Sequence, residues 1–391
     1  MAAVGLGATL VCGSLLWRSL TQAPYLAPDA SALTRVLPRA TVIVPAYNEA
    51  DNIDACVRSI LASTAAPTLE VWVVDDQSTD QTWAILETLR AELGDSRLHL
   101  LPGRPRPQGW MGKTWACQQA VEQATGDALL FLDADVRLQS GAVEASVGYL
   151  FDQSLDLLTL GPAVVCQHWA EWLVQPVIFC LLVIGFNFEQ VNDPHHPKAF
   201  GAGPFMLFRR SAYTAVGGHA SVADVIVEDV ALAQRIKGQG LRLRYLLGPD
   251  VAAIRMYRSA AGLWEGWTKN LHLGCDRRIW LTLSIGVIAL MTCTLPWLSL
   301  LGAAGRLLST GLTLPTVLAL GLSLLTLGLH YGLRRLLYRA TRIPPHRWWW
   351  TGAGGLAVAA IAVGSVIKTE TGWGWTWRGR PLQLPGDPKP L

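Results

Sequence analysis

The stretch Thr41-Val-Ile-Val-Pro45, running on into Ala46-Tyr-Asn-Glu49, decides how the rest of the chain is read. Its short, β-branched apolar run predicts a buried strand. Behind it Ile53, Cys56, Val57, Ile60 and Leu61 recur at i, i+3, i+4, i+7 and i+8, one apolar helix face, and Asn48 is placed to cap that helix. The pattern then repeats. Val71-Trp-Val-Val74 predicts a second strand, Ser78, Thr79 and Asp80 are cap candidates, and Trp83, Leu86 and Leu89 mark the inner face of the next helix. Ala128-Leu-Leu-Phe-Leu132 predicts a further strand. Leu241, Leu243 and Tyr245 alternate with Arg242 and Arg244, which predicts a half-exposed one. This β-α-β-α order predicts an α/β fold with a mostly parallel, doubly wound sheet, whose ligands bind beyond the carboxyl ends of the strands.

The polar residues of interest fall at those ends. Pro45, Tyr47 and Glu49 follow the first strand, where backbone groups and Tyr47 could hold a nucleotide base. Asp75 and Asp76 follow the second, where a carboxylate can accept hydrogen bonds from a base N–H or a ribose; turn and cap residues look the same. Asp133 and Asp135 follow a strand of pure hydrophobes. Alternate carboxylates there can aim one at a ribose and the other at a hard divalent cation bridging two phosphates. Gly109-Trp-Met-Gly-Lys113 places a lysine in a Gly-rich loop before a helix, able to meet a diphosphate as a point charge, although the Walker A spacing fails. Glu228 and Asp229 open a helix ending near Gly238; they suit a first helical turn, and either could be a general base. Gly201 and Gly203 would let backbone approach a ligand closely.

Composition supplies the setting. Of 391 residues 51% are hydrophobic and 16% charged, where a soluble chain carries roughly 25% charged residues. A disordered or nucleic-acid-coating protein is excluded. Residues 41–278 carry 19 Lys/Arg against 26 Asp/Glu, and residues 279–391 carry 10 against 2. An acidic middle joined to a basic, apolar tail predicts a catalytic domain on a membrane anchor. Residues 1–20 read as an N-terminal anchor whose start lies outside, because Arg18 follows the apolar run. Apolar stretches near 279–302, 308–330 and 350–367 predict about three C-terminal segments, the last weaker and rich in Gly and Ala. Five arginines between Arg334 and Arg347 place that loop in the cytoplasm. The apolar run within 170–188 is short and interrupted by Gln175 and Pro176, so it is expected to lie in the interface. Residues 368–391 form a tail rich in Trp, Arg and Pro. Seven cysteines, an odd number without C-x-x-C, suggest neither a disulfide framework nor a zinc site.

Val42–Glu49, Val74–Asp80, Asp133-Ala-Asp135 and Val227-Glu-Asp229 resemble, in order and spacing, the signature of family 2 glycosyltransferases. The resemblance covers about residues 38–278. It implies a GT-A (Rossmann-like) catalytic domain carried by N-terminal and C-terminal transmembrane helices, a nucleotide-sugar donor (a UDP-sugar favoured), Mg2+ or Mn2+, and inversion at the anomeric carbon. Carried over by position, Asp75 and Asp76 would hold base and ribose, Asp133 and Asp135 the ribose and the metal-bound diphosphate, and Asp229 would be the base, with Glu228 beside it. The loop around Lys113, the segment Gly201–Arg210 and Trp267-Thr-Lys-Asn270 resemble the membrane-anchored branch that modifies lipids, such as carotenoid- and hopanoid-associated enzymes. Trp264, Trp267 and Lys269 would then lie where a lipid acceptor enters. Processive polysaccharide synthases carry Q-x-x-R-W after the Glu-Asp element. Trp264-Glu-Gly-Trp-Thr-Lys-Asn270 stands there instead, which favours single-sugar transfer. The expected location is a cell membrane, inner/plasma or thylakoid-type, with the catalytic domain cytoplasmic. A polyprenyl-phosphate sugar transferase and a non-catalytic membrane scaffold are the alternatives.

Overall fold

A computed structural model describes residues 1–28 and 37–382, so the last part of the expected tail, 383–391, lies outside the described residues. The chain divides into two compact units. One comprises Ala23–Val164 and Phe188–Arg255, the other Met1–Gln22, Val165–Asn187 and Met256–Leu391.

The first unit is built on a seven-stranded mixed sheet. Its strands are β1 (Ala40–Ala46), β2 (Leu69–Asp75), β3 (Leu98–Pro102), β4 (Ala128–Leu132), β6 (Leu157–Gly161), β8 (Phe205–Arg209) and β9 (Leu243–Leu247), in the order β3-β2-β1-β4-β8-β6-β9. Short β5 (Val136–Leu138), β7 (Ala163–Val164) and β10 (Ala252–Ile254) form a second sheet. β3, β2, β1 and β4 are parallel, β8 runs antiparallel to both β4 and β6, and β6 and β9 are parallel again. Every residue of β4 is buried, as its unbroken apolar run requires. Pro45 costs β1 little, because the pairing with β4 stops at Ile43.

Two local expectations change and one holds. Asn48 does not cap the helix Ile53–Ser63, whose N-cap position is Asn52. It takes a left-handed φ of 53° and ties two loops together, its N–H donating to Ser78 Oγ and its Oδ1 accepting from Thr79 N. Asp80 does serve the next helix, Thr82–Leu93, accepting from Thr82 N at 2.9 Å. The strand expected from Leu241 begins at Leu243, since Arg242 N is held by the Asp156 carboxylate.

The second unit is helical. Among the described residues five helical stretches are long and apolar enough to cross a membrane: Ala2–Gln22, Trp169–Phe186, Ile279–Thr310, Leu314–Thr341 and Pro345–Thr371. Trp169–Phe186 stays one helix through Pro176 and is half buried in this unit. Its Val183 carbonyl accepts from Ser19 Oγ at 3.1 Å. The last stretch is longer than its Gly- and Ala-rich sequence suggested, and its small residues allow close helix contact. A Cβ on Gly355 would lie 2.5 Å from Thr294 Oγ1.

Candidate active site

The reversed strand gathers the site. Because β8 is antiparallel to β4, its start lies at the carboxyl end of β4, with Leu132 opposite Phe205. The Gly201–Pro204 loop therefore arrives beside Asp133, whose N–H donates to the Pro204 carbonyl at 3.4 Å. Glu228 and Asp229 open the helix Glu228–Gly238, and Lys113 stands in the first turn of Gly112–Val121.

Lys113 joins these pieces. Its Nζ lies 2.7 Å from Asp133 Oδ1 and 2.7 Å from Glu228 Oε1. Burial opposes the ammonium charge, but Asp133 and Glu228 more than offset this and raise its pKa well above the ordinary value. Burial likewise pushes the Glu228 carboxyl up, yet Lys113 holds it below its usual range. Asp229 goes the other way: burial, then the neighbouring Glu228 charge, push it up to about 6. Asp229 Oδ2 accepts from Gly203 N and Oδ1 from its neighbour Val230 N, each at 2.8 Å. The two adjacent carboxyls thus differ: Lys113 favours the ionised form of Glu228, while burial and the Glu228 charge favour the protonated form of Asp229.

Gly203 is needed for this arrangement. A Cβ there would sit 2.8 Å from Asp229 Oδ2 and 3.4 Å from Lys113 Nζ. Gly203→Ala is expected to displace Asp229, cost about 1–3 kcal/mol of stability and lower turnover more than donor affinity. Thermal melts and steady-state kinetics would check this; unchanged turnover would show that the close approach is incidental.

Asp75 and Asp76 are buried at the end of β2. Asp75 Oδ2 accepts from Ser78 N at 3.2 Å, while its buried Oδ1 has no hydrogen-bond partner, an acceptor that a base N–H would satisfy. Asp133 and Asp135 flank buried Ala134 and are each half-buried. Tyr47 is half-buried in the loop after β1, and Glu49 accepts from Asn52 Nδ2 at 2.8 Å. Trp264, Trp267 and Lys269 belong to the helical unit, on the helix Ala260–Leu273. Trp267 is buried, its indole N–H donating to Gln175 Oε1 at 3.0 Å. Lys269 Nζ lies 3.8 Å from the centre of the Trp377 ring.

One feature was not foreseen. The Lys113 loop is clamped from across the site by the Ala223 carbonyl, which accepts from Met111 N at 2.6 Å and from Thr114 Oγ1 at 2.8 Å. The only local signal was a threonine following the lysine.

Residues 41–217 match Glycosyl transferase family 2. The chain is 31% identical over 272 residues to 4,4'-diaponeurosporenoate glycosyltransferase of Staphylococcus aureus strain MRSA252, covering 68% of each chain. To the strain N315 protein of the same name it is 32% identical over 238 residues, 60% of this chain and 61% of the relative. A solved mannosyltransferase from Pyrobaculum calidifontis, in complex with GDP-Man and Mn2+, superposes with a TM-score of 0.52 at 21% identity, over 94% of this chain and 98% of its own. Sheet order, site and these likenesses define a glycosyltransferase with a GT-A-like α/β fold. The chain belongs to glycosyl transferase family 2, and within it resembles the carotenoid glycosyltransferases.

Proposed function

We propose that the protein transfers one sugar from a nucleotide-sugar donor, a UDP-sugar favoured, to the hydroxyl of a membrane isoprenoid such as a carotenoid or hopanoid, with inversion at the anomeric carbon. The observation that carries this reading is the Lys113 ion pair joining Asp133 to Glu228, with the Asp229 carboxylate alongside on the Gly203 N–H. Pro45, Tyr47, Glu49, Asp75 and Asp76 would take the base and ribose. Lys113 exchanges its contacts with Asp133 and Glu228 for the leaving diphosphate. Asp229 accepts the proton of the acceptor hydroxyl as it attacks from the opposite face. Gly201 and Gly203 keep the backbone close to that step.

Asp133 and Asp135 fit a hard divalent cation. They offer only oxygen, and no group of three or more His, Cys, Asp or Glu that could hold a metal forms among the described residues. Mg2+ and Mn2+ suit such a pair, because they take one or two carboxylates and draw further ligands from substrate phosphates. When bound, the ion would offset charge building on the diphosphate.

A second reading is favoured by the relative's name, whose "-oate" denotes a carboxylate. An ionised acceptor, whether carboxylate or polyprenyl phosphate, needs no base, and Asp229 would then only position it.

The setting we favour is a membrane with the sheet unit on the cytoplasmic face. Arg18 and the arginine-rich loop argue for that side. Lys113 and Asp133 precede the helix Trp169–Phe186 in the chain, and Glu228 follows it, yet all three are in contact. That helix therefore returns the chain to the side it left. Glu370 meets Arg277 at 2.9 Å and His272 at 3.1 Å, which with a cytoplasmic arginine-rich loop supports a last stretch, Pro345–Thr371, that re-enters the membrane rather than crossing it.

The test is mass spectrometry of isoprenoid lipids after incubating membranes that carry the protein with UDP-sugars, with and without EDTA. A single added hexose that disappears with EDTA and returns with Mn2+ is expected. No adduct with any nucleotide sugar would overturn the proposal in favour of a scaffold.

A further inference from the structure

His330 and Arg334 stand at i and i+4 on the helix Leu314–Thr341, so their side chains lie one above the other on one face. Both are buried within the helical unit, at 4% and 8% exposure. An arginine keeps its charge even there, and the groups that bear on that charge are the thiols of Cys293, Cys180 and Cys166. Among the described residues nothing accepts a hydrogen bond from its buried Nη2. His330 Nε2 donates to the Thr292 carbonyl at 2.7 Å, which leaves Nδ1 as the acceptor of a neutral ring. That atom too is buried and, among the described residues, has no hydrogen-bond partner. Thr292 belongs to a turn of π-helix, Leu290–Thr294, within the stretch Ile279–Thr310, and Thr9 Oγ1 of the first helix donates to the same carbonyl at 3.3 Å. Such turns recur at functional sites. Cys180 comes from Trp169–Phe186, so parts of three other helical stretches meet this face.

A buried guanidinium among thiols is costly unless an anion meets it. We propose that His330 and Arg334 bind the carboxyl group of an apolar-chain acid. The stoichiometry matches. The acid brings one proton and one negative charge, and the site has one open base and one cation. The guanidinium fork takes both carboxylate oxygens. The acid's O–H bond breaks and its proton bonds to His330 Nδ1, giving a carboxylate and an imidazolium whose Nε2–H the Thr292 carbonyl already holds. From Leu314 to Arg334 the helix rises about 30 Å, the thickness of the hydrocarbon core. The carboxyl group would therefore lie at the edge of that core, with its chain beside the helices. A fatty acid and an isoprenoid acid share this chemistry. The inference rests on reading these helices as membrane-embedded but not on the transfer reaction, so it can fail while the proposed catalysis stands.

The experiment is native mass spectrometry of the purified full chain in detergent. Palmitate is compared with hexadecanol and hexadecyl phosphate, and retinoate with retinol. The wild type is expected to retain an acid over its own alcohol, and that acid should raise the melting temperature. Which of the two acids is retained names the source. Arg334→Met removes the charge and keeps the length of the side chain. It should weaken retention of the acid about 10–100-fold, the worth of a hydrogen bond to a charged group, and abolish the preference over the alcohol. Stripped of lipid, it should melt no lower than the wild type, because an uncompensated buried charge has gone. Arg306→Gln, exposed in the same unit, should leave retention unchanged. A wild type that retains acids and alcohols equally would overturn the proposal, as would an Arg334→Met chain that keeps the preference. An Arg334→Met chain that fails to fold, or melts lower than the lipid-stripped wild type, would also overturn it, by showing that the fold itself satisfies the guanidinium. Preference for hexadecyl phosphate over palmitate would overturn it in favour of a phosphate.

Discussion

Replacing Asp229 by Asn is expected to lower turnover by about 10²–10⁴-fold, the usual worth of a positioned general base, while donor binding stays within a few-fold. An amide cannot take the acceptor's proton. It is also a poorer fit, because both carboxylate oxygens accept backbone N–H groups, from Gly203 and Val230, and an amide offers one acceptor where two are used. In the unsubstituted enzyme the base works only when ionised. With the Asp229 pKa pushed up to about 6, activity should rise with pH through that region and be lost below it. The limb belongs to the coupled pair of Glu228 and Asp229 rather than to either alone. Turnover against pH, with donor affinity measured separately, checks both statements. Near-normal turnover in Asp229→Asn would sink the hydroxyl acceptor and leave the ionised acceptors.

Lys113→Gln should be the second most damaging change, for two separable reasons. Removing the ammonium leaves Asp133 and the nearly buried Glu228 without their shared cation. A buried charge that loses its partner costs several kcal/mol, but the Lys113 side chain is 35% exposed, so about 1–3 kcal/mol is the fitting expectation. Independently, the leaving diphosphate loses a positive charge, worth about 10²–10³ in turnover. The discriminating measurement is the pH profile. Lys113 lowers both carboxyls, so without it the acid limb should move to higher pH than in the wild type. A limb that stays put would mean that the ion pair does not set the Asp229 proton affinity.

Some of this site was readable from pattern alone and some could not be. β1, β2 and β4 announce themselves as short apolar runs, and the acidic residues follow at their ends. The opening of a helix at Glu228 was also readable. β8 was not, because Phe205–Arg209 follows a Gly-rich loop and its antiparallel direction is set by β4 and β6, distant partners. Sequence could suggest Lys113 for a phosphate, but not that it would bridge two carboxylates from separate elements. Asn48 shows a subtler limit. Asn suits a helix cap and a left-handed turn equally, and the bonds to Ser78 and Thr79 chose the turn. Trp267 shows another, since a tryptophan near a membrane segment is written alike whether it faces lipid or hydrogen-bonds a buried Gln175.

The excursion of the chain through Trp169–Phe186 has a consequence for biogenesis. β3, β2, β1 and β4 are complete once the ribosome has passed residue 132. β6 is made soon after, but its two neighbours, β8 and β9, lie beyond the helix. At 5–20 residues per second, the 45 residues from Val164 to Arg209 occupy about 2–9 s, during which β4 and β6 present open hydrogen-bonding edges. The nascent sheet is thus most vulnerable to aggregation while its apolar helix emerges. Early capture of that helix at the bilayer would remove one sticky surface just as the other waits to close.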